Sequence, residues 1–455
     1  MLIKELVTTQ DVGSLFKKFK EDKYPIILES QKDPEKLGRY SFIMSDPFLV
    51  IKSKGNNIEI LEENSKKNLQ DSPLDILQEL LEKYKTDEKS HIPFTGGAAG
   101  YLSYDLCHHI EALPKSVTDD INIPDLFLGF YDGVLAVDHL ENKKYLIAHG
   151  FKESADQIIQ KLKIKTEKKI NLHQNKTDEK ETIFHRNMNK KSYLKSIQKV
   201  KDYIYSGDIY QINFTQRFQC KLNKSPYTIY ERLRSTNPAP FASYINFGEG
   251  EIVCCSPERF IQVREGIIET RPIKGTIARG ATLKEDKKNK KILKASEKDK
   301  SELLMIVDLE RNDIGKISET GSVKVTELFS IEEYSTLFQQ VATVTGKLKK
   351  NISTADILKA TFPGGSITGA PKIRAMEIID ELEPTARNIY TGSIGYMGFD
   401  GSIDLNIVIR TILCKENTGY FQVGGGIVWD SDPESEYQES ILKGKALKEA
   451  LIWRE

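Results

Sequence analysis

Four carboxylates fall in two pairs at helical spacing, Asp299 with Glu302 and Glu436 with Glu439. Residues at i and i+3 share one face of an α-helix, so each pair would aim its oxygens the same way. Two such faces brought together would make an oxygen-only site of the kind Mg²⁺ accepts, where the ion keeps waters and bridges to an anionic ligand. Taken alone, the same spacing also describes a solvated helix face. Between the pairs lie two glycine-rich turns, Pro363-Gly364-Gly365-Ser366-Ile367-Thr368-Gly369-Ala370-Pro371 and Val423-Gly424-Gly425-Gly426-Ile427. The first leads into a helix with Pro371 in its first turn, which would present backbone N–H groups and a positive dipole end to an anion. Neither matches a phosphate loop or a dinucleotide fingerprint, so they are either structural turns or backbone that binds carboxylate. Arg410 lies in the apolar run 405–413, where a guanidinium needs an anion supplied by the protein or by a ligand. Lys274, in Pro272-Ile273-Lys274-Gly275-Thr276, is either a surface lysine or, if desolvated and neutral, a covalent nucleophile.

Helices and strands must hold these groups. Tyr193, Ile197, Val200 and Ile204 recur at helical spacing, and the pattern stops at Gly207 as a C-terminal cap. The run 208–218 then switches to a period of two, with Tyr210, Ile212, Phe214 and Phe218 on one face and Gln211, Asn213, Thr215 and Arg217 on the other. Strands are predicted at 24–28, 126–137, 144–148, 252–255, 260–263, 393–397, 405–413 and 420–423, and helices at 299–309, 370–382 and 433–451. Without a βαβ rhythm, the fold class is α+β or a layered α/β sandwich.

Charge and composition exclude several functions. The 455 residues carry 66 basic and 66 acidic side chains, a balance that argues against a nucleic-acid partner. A chain of this size buries roughly three-quarters of its unfolded surface, so any metal would serve chemistry rather than folding. All seven histidines precede residue 186, so a site in the later part takes its acid, base and nucleophile from other residue types. Five scattered cysteines without CxxC spacing read as reduced core residues of a cytoplasmic protein. No signal-peptide core or membrane span is evident, so a soluble chain is expected. Residues 163–190, rich in Lys, Glu and Asn, read as a charged connector between a strand-rich region 1–162 and a catalytic region 191–455. The length alone would suggest about three domains.

Taken together, these residues resemble the chorismate-binding enzymes, the group of anthranilate, aminodeoxychorismate, isochorismate and salicylate synthases. The resemblance rests on Ser206 to Gln211, Ser256-Pro257-Glu258-Arg259-Phe260, Asp299 to Glu302 leading into Met305 to Asp313, Pro363 to Met376, Gly424 to Val428, and Glu436 with Glu439. Leu28-Glu29-Ser30 and Gly38 to Phe42 extend it into the first region. It implies two stacked sheets flanked by helices. It also implies Mg²⁺ held by Glu302 and Glu439, with Asp299 and Glu436 reaching its waters, although Asp299 is shorter than the glutamate some relatives carry. Tyr390 and Arg410 would hold the enolpyruvyl carboxylate of chorismate. Ser366, Thr368, Gly424, Gly425 and Gly426 would cradle the ring carboxylate, with Thr276 and Gln211 also at the substrate.

Two positions choose among family members. Gln211 stands where the water-adding isochorismate and salicylate synthases place a lysine base. Lys274 stands where anthranilate synthases carry alanine and aminodeoxychorismate synthases carry a lysine nucleophile. The resemblance therefore implies amination of chorismate by covalent catalysis, with Glu258 as general acid and base, and anthranilate synthesis as the alternative. Gln339 replaces a histidine linked in relatives to pyruvate elimination, which fits a product that keeps its enolpyruvyl group. Without a glutaminase nucleophile in the chain, ammonia would come from a separate glutamine amidotransferase subunit. Leu28, Glu29 and Ser30 with Pro240 and Phe241 match the tryptophan pocket of relatives, so an amino-acid effector, or a purely effector-binding subunit, is a further expectation.

Overall fold

The period-two run from Gln211 forms a strand of 11 residues, Gln211–Lys221, and both of its faces are buried. The computed structural model describes residues 1–63, 65–169, 182–333 and 337–452. Among them, two 12-stranded antiparallel sheets stack with helices on their outer faces, a mixed α+β sandwich. One sheet runs from Leu2–Glu5 through Ile26–Glu29, Phe241–Asn246, Glu251–Ser256, Thr411–Lys415 and Thr418–Ile427 to Gln211–Lys221 and His185–Arg186. The other runs from Ile273–Ala278 through Leu337–Lys347, Arg259–Arg264, Ile403–Asn406 and Ser393–Gly398 to Gly97–Leu102 and Ser65–Gln70.

The strand-rich first region thus has no sheet of its own. Ala242 pairs with Glu29 in one sheet and Gly395 with Gly100 in the other, so each sheet is completed by strands from both regions. Apolar side chains from both sheets, among them Phe42, Tyr101, Phe127, Ile245 and Ile394, form the layer between them. Helix Glu297–Ile317 packs Leu303, Val307 and Ile314 on one outer face, and helices Lys190–Tyr205, Lys372–Leu382 and Pro433–Lys443 cluster at the end of Gln211–Lys221.

Several expectations change. The single strand predicted over 405–413 is two strands in different sheets, Ile403–Asn406 and Thr411–Lys415, and Arg410 sits at the crossover with φ +53°. An apolar run reads as one strand whether it stays in a sheet or passes between two, because both environments are dry. The run predicted over 126–137 is divided at Asp132, and the helix predicted over 433–451 is divided at Gly444. Tyr210 falls outside its predicted strand and is exposed. Pro371 caps helix Lys372–Leu382 from an extended conformation instead of entering its first turn. The predicted connector begins inside helix Ala155–Glu167, and its residues 170–181 lie outside the described residues. All five cysteines are buried and unbridged. No helix among the described residues is long and apolar enough to cross a membrane.

Candidate active site

Lys274 lies in the strand Ile273–Ala278, opposite Gln340 of Leu337–Lys347. The ladder slips by one residue between Lys274 and Thr276, and Gly275 occupies the bulge with φ +71°. A Cβ at Gly275 would come within 2.8 Å of the Asp299 carboxyl carbon, so only glycine lets helix Glu297–Ile317 close onto this strand. The extra residue also reverses the facing of the residues after it. Thr276 pairs with Gln339 and is exposed, away from the face that carries Lys274.

The Lys274 amine donates to the Ser366 carbonyl at 3.1 Å. Burial presses the pKa of this amine down, against the pull of Glu302 and Glu258. Burial likewise pushes the Glu258 carboxyl up, against a hydrogen bond from Ser366 and the nearby Lys274. Glu258 Oε1 has no hydrogen-bond partner among the described residues. Enclosure thus favours the uncharged form of both groups, an amine able to attack and a carboxyl able to give a proton.

The turn carrying Ser366, Gly365–Ile367, rests on a residue outside the expected set. Glu310 is buried, and its Oε1 accepts the Gly365 N–H at 2.9 Å. Burial is the main cause that raises its carboxyl to about 7. Its position three and four residues from Val307, Ile306 and Ile314 on the apolar helix face was the signal in the sequence. Thr368 is fully buried and donates to the Gly364 carbonyl at 3.0 Å, bracing the turn from within.

The second glycine-rich segment, expected as a turn, is the end of the strand Thr418–Ile427. Gly424 pairs with Thr215, and a Cβ there would lie 2.1 Å from the Phe214 carbonyl oxygen, so the glycines let the two strands approach closely. A Cβ at Gly425 would be 3.7 Å from Glu436 Oε2 and 3.7 Å from Glu439 Oε1, which makes this strand end the floor beneath both carboxylates. A Cβ at Gly426 would strike the buried Gln211 amide, whose Oε1 is unpartnered among the described residues.

Tertiary folding brings the two acidic helix faces together. Lys298 bridges them, 3.9 Å from Glu302 Oε1 and 3.8 Å from Glu436 Oε1. Burial raises the Glu302 carboxyl, helped by Asp299 and Glu436 and opposed by Lys274 and Lys298. Glu436 is buried and accepts from the Ser431 hydroxyl at 2.6 Å. Glu439 pairs with Lys443 at 2.8 Å, and that ammonium overcomes the upward push of burial to hold the Glu439 carboxyl below its usual range. Among the described residues, no three acidic, thiol or imidazole groups converge tightly enough to hold an ion unaided.

Arg410 has no ion pair or side-chain hydrogen bond among the described residues, although burial presses its pKa down. A half-buried guanidinium without an anion is costly, and no carboxylate among the described residues pairs with it. Tyr390, buried and close enough to feel its charge, has a hydroxyl pKa pushed up by burial. The pair is therefore available to a carboxylate from outside. Arg410 also lines a small pocket with Gln339, Cys255 and Pro240.

Leu28, Glu29, Ser30, Pro240 and Phe241 line a separate cavity together with Arg259 and Arg271. Glu29 is already neutralised there by Arg234, and Tyr230 donates to it at 2.5 Å. The Ser30 hydroxyl donates to the Pro240 carbonyl at 2.7 Å.

Comparison with known proteins matches residues 24–449 to the model of the chorismate binding enzyme family. The chain is 40% identical to anthranilate synthase component 1 of Acetivibrio thermocellus, covering 96% of this chain and 92% of that one. It is 37% identical to aminodeoxychorismate synthase component 1 of Escherichia coli K12, covering 96% of each. The crystal structure of anthranilate synthase component I from Streptococcus pneumoniae superposes with a TM-score of 0.82 at 32% identity, covering 91% of this chain and 94% of that one.

Proposed function

The chain belongs to the chorismate-binding enzymes, and from that premise we propose that it aminates chorismate to 4-amino-4-deoxychorismate, a transferase step toward 4-aminobenzoate and folate. Its relatives of the two activities are 40% and 37% identical, so overall identity does not choose between them. The observation that carries the choice is Lys274, an enclosed amine held by a carbonyl beside a buried carboxyl. An alanine could not do its chemistry.

In the proposed reaction the neutral Lys274 amine forms a bond to C2 of chorismate, the ring double bonds shift, and the C4 hydroxyl leaves with a proton from Glu258 as water. Ammonia then adds at C4, the double bonds shift back, and the lysine departs from C2. Glu258 takes up the proton that the incoming nitrogen sheds, which restores the acid. Arg410 and Tyr390 pair with the enolpyruvyl carboxylate, while the Ser366 turn and the Gly424 to Gly426 strand end line the ring carboxylate. Gln211, with its unpartnered amide oxygen, offers no base for activating water, which supports amination over hydration.

The acidic faces fit Mg²⁺. Their donors are all oxygens, Glu302 and Glu436 already share one cation in Lys298, and water and a substrate oxygen would complete the shell that the protein leaves open. Glu302 and Glu439 would hold the ion, with Glu436 and Asp299 behind them. When bound it supplies Lewis-acid withdrawal of charge from the ring carboxylate. Ammonia would come from a separate glutamine amidotransferase subunit in the cytoplasm. The cavity around Ser30 would take an amino-acid effector, with tryptophan the first candidate.

Incubating the chain with chorismate, MgCl₂ and an ammonium salt should yield aminodeoxychorismate, identified by mass and ultraviolet spectrum. Fluorescent anthranilate as sole product would instead establish the runner-up, the activity named for the 40% identical relative. Arg410→Gln should lower kcat/KM for chorismate about 10- to 100-fold, chiefly through KM, since a charged hydrogen bond contributes about 1.5–3 kcal/mol. An unchanged KM in that variant would remove Arg410 from the substrate site.

A further inference from the structure

Gln339 and Gln340 are neighbours in the strand Leu337–Lys347, so their side chains leave opposite faces of the sheet. Ala342 and Val344, which share the Gln340 face, pack in one apolar cluster with Leu303 and Val307 of the helix that carries Glu302. Gln340 therefore looks toward the side on which Lys274 works, and the register sets it directly across from Lys274. Opposed residues of an antiparallel pair hold their Cβ atoms about 4.5–5.5 Å apart, a span that a glutamine amide and a lysine amine can close.

Gln340 is 0% exposed, and among the described residues neither its Oε1 nor its Nε2 has a hydrogen-bond partner. No other buried amide among the described residues leaves both atoms unpaired. Such a group destabilises the fold unless something else satisfies it. A neutral lysine amine has two N–H bonds and one lone pair, and the Ser366 carbonyl takes one N–H at 3.1 Å. We infer that Gln340 is a positioning residue whose Oε1, not bonded to Lys274 in this structure, takes the second N–H of that amine when it turns to the substrate, leaving the lone pair free to face the substrate carbon. Both acceptors are then uncharged carbonyl oxygens, which orient the amine without favouring its ammonium form as a carboxylate would. The charged groups that act on Lys274 from the neighbouring elements are Glu302, Glu258, Lys443 and Glu439. This role deepens the reading of Lys274 as the nucleophile and rests on it.

In the substrate-free protein, acylation of Lys274 by a small amine-selective ester, quantified by peptide mass spectrometry, reads the amine without any chorismate chemistry. Gln340→Glu puts a carboxylate beside the amine and should slow this acylation about tenfold, the equivalent of one pKa unit, with the remaining lysines as internal control. An unchanged rate overturns the inference. Gln340→Met keeps the volume and removes the acceptor; with chorismate and ammonia its kcat should fall about tenfold at unchanged KM, and a native kcat likewise overturns the inference. Were the native chain to make no aminodeoxychorismate, the acylation rates would still decide the role of Gln340, so failure of the proposed reaction and failure of the positioning role remain distinct.

Discussion

Lys274→Ala should lower the formation of 4-amino-4-deoxychorismate from chorismate and ammonia by on the order of 10³-fold or more, because the amine proposed to form the bond to C2 is removed. The quenched-reaction yield, separated by chromatography, reads this directly. Lys274→Arg should be equally inactive, since a guanidinium stays protonated and has no lone pair to offer. In the native chain kcat/KM should be present above the pKa of the amine and lost as pH falls through it. Burial lowers that pKa, so the loss sets in below the range of an ordinary lysine. A Lys274→Ala variant that still turns over chorismate at the native rate, with anthranilate as product, would transfer the chain to the anthranilate branch.

Glu302→Gln and Glu439→Gln should each abolish Mg²⁺-dependent turnover, by about 10²-fold or more, while leaving the fold intact. The stability signature makes the two variants informative. Glu302 is half-buried among Asp299 and Glu436, and its charge is opposed by burial and by those neighbours. Replacing it with a neutral amide of the same shape should leave the melting temperature unchanged or slightly raised. Glu439 is half-exposed beside Lys443, so losing its charge should cost less than about 1 kcal/mol. Full activity in either variant would refute the metal assignment, and a large loss of melting temperature would show that the carboxylates serve the fold instead.

Much of the site is legible in the chain's local patterns. The i, i+3 acidic pairs lie on the helices Glu297–Ile317 and Pro433–Lys443 as their spacing required. The absence of histidine after residue 186 leaves a lysine and carboxylates as the candidates for acid, base and nucleophile. The strands at 252–255, 260–263 and 393–397 appear within one or two residues of their predicted bounds. These features are local: helical and strand periods record which side of an element is dry, and capping and turn chemistry mark where it ends.

Features that depend on partners distant in the chain escaped the sequence. Glycines at 424–426 read as a turn because glycine is common in turns, whereas here strand Gln211–Lys221 approaches so closely that no side chain fits. Glu310 is one more acid in a helix until the Gly365 amide meets it. Thr276 stands two residues from Lys274, yet the one-residue bulge at Gly275 turns it away.

The sequence by itself determined the chemical inventory: an amine, carboxylates and a guanidinium, with the acidic pairs on helices whose local period sets their facing. Tertiary structure decided which of them share a site. It carried the 405–413 run from one sheet to the other with Arg410 at the bend, and it drew Glu302 and Glu436 toward a single lysine. It also set Gln340 opposite Lys274. The physical reason is that strand pairing and sheet choice are settled by backbone hydrogen bonds and apolar contacts between residues far apart in the chain, and a shift of one residue in that pairing reverses the face on which a side chain acts.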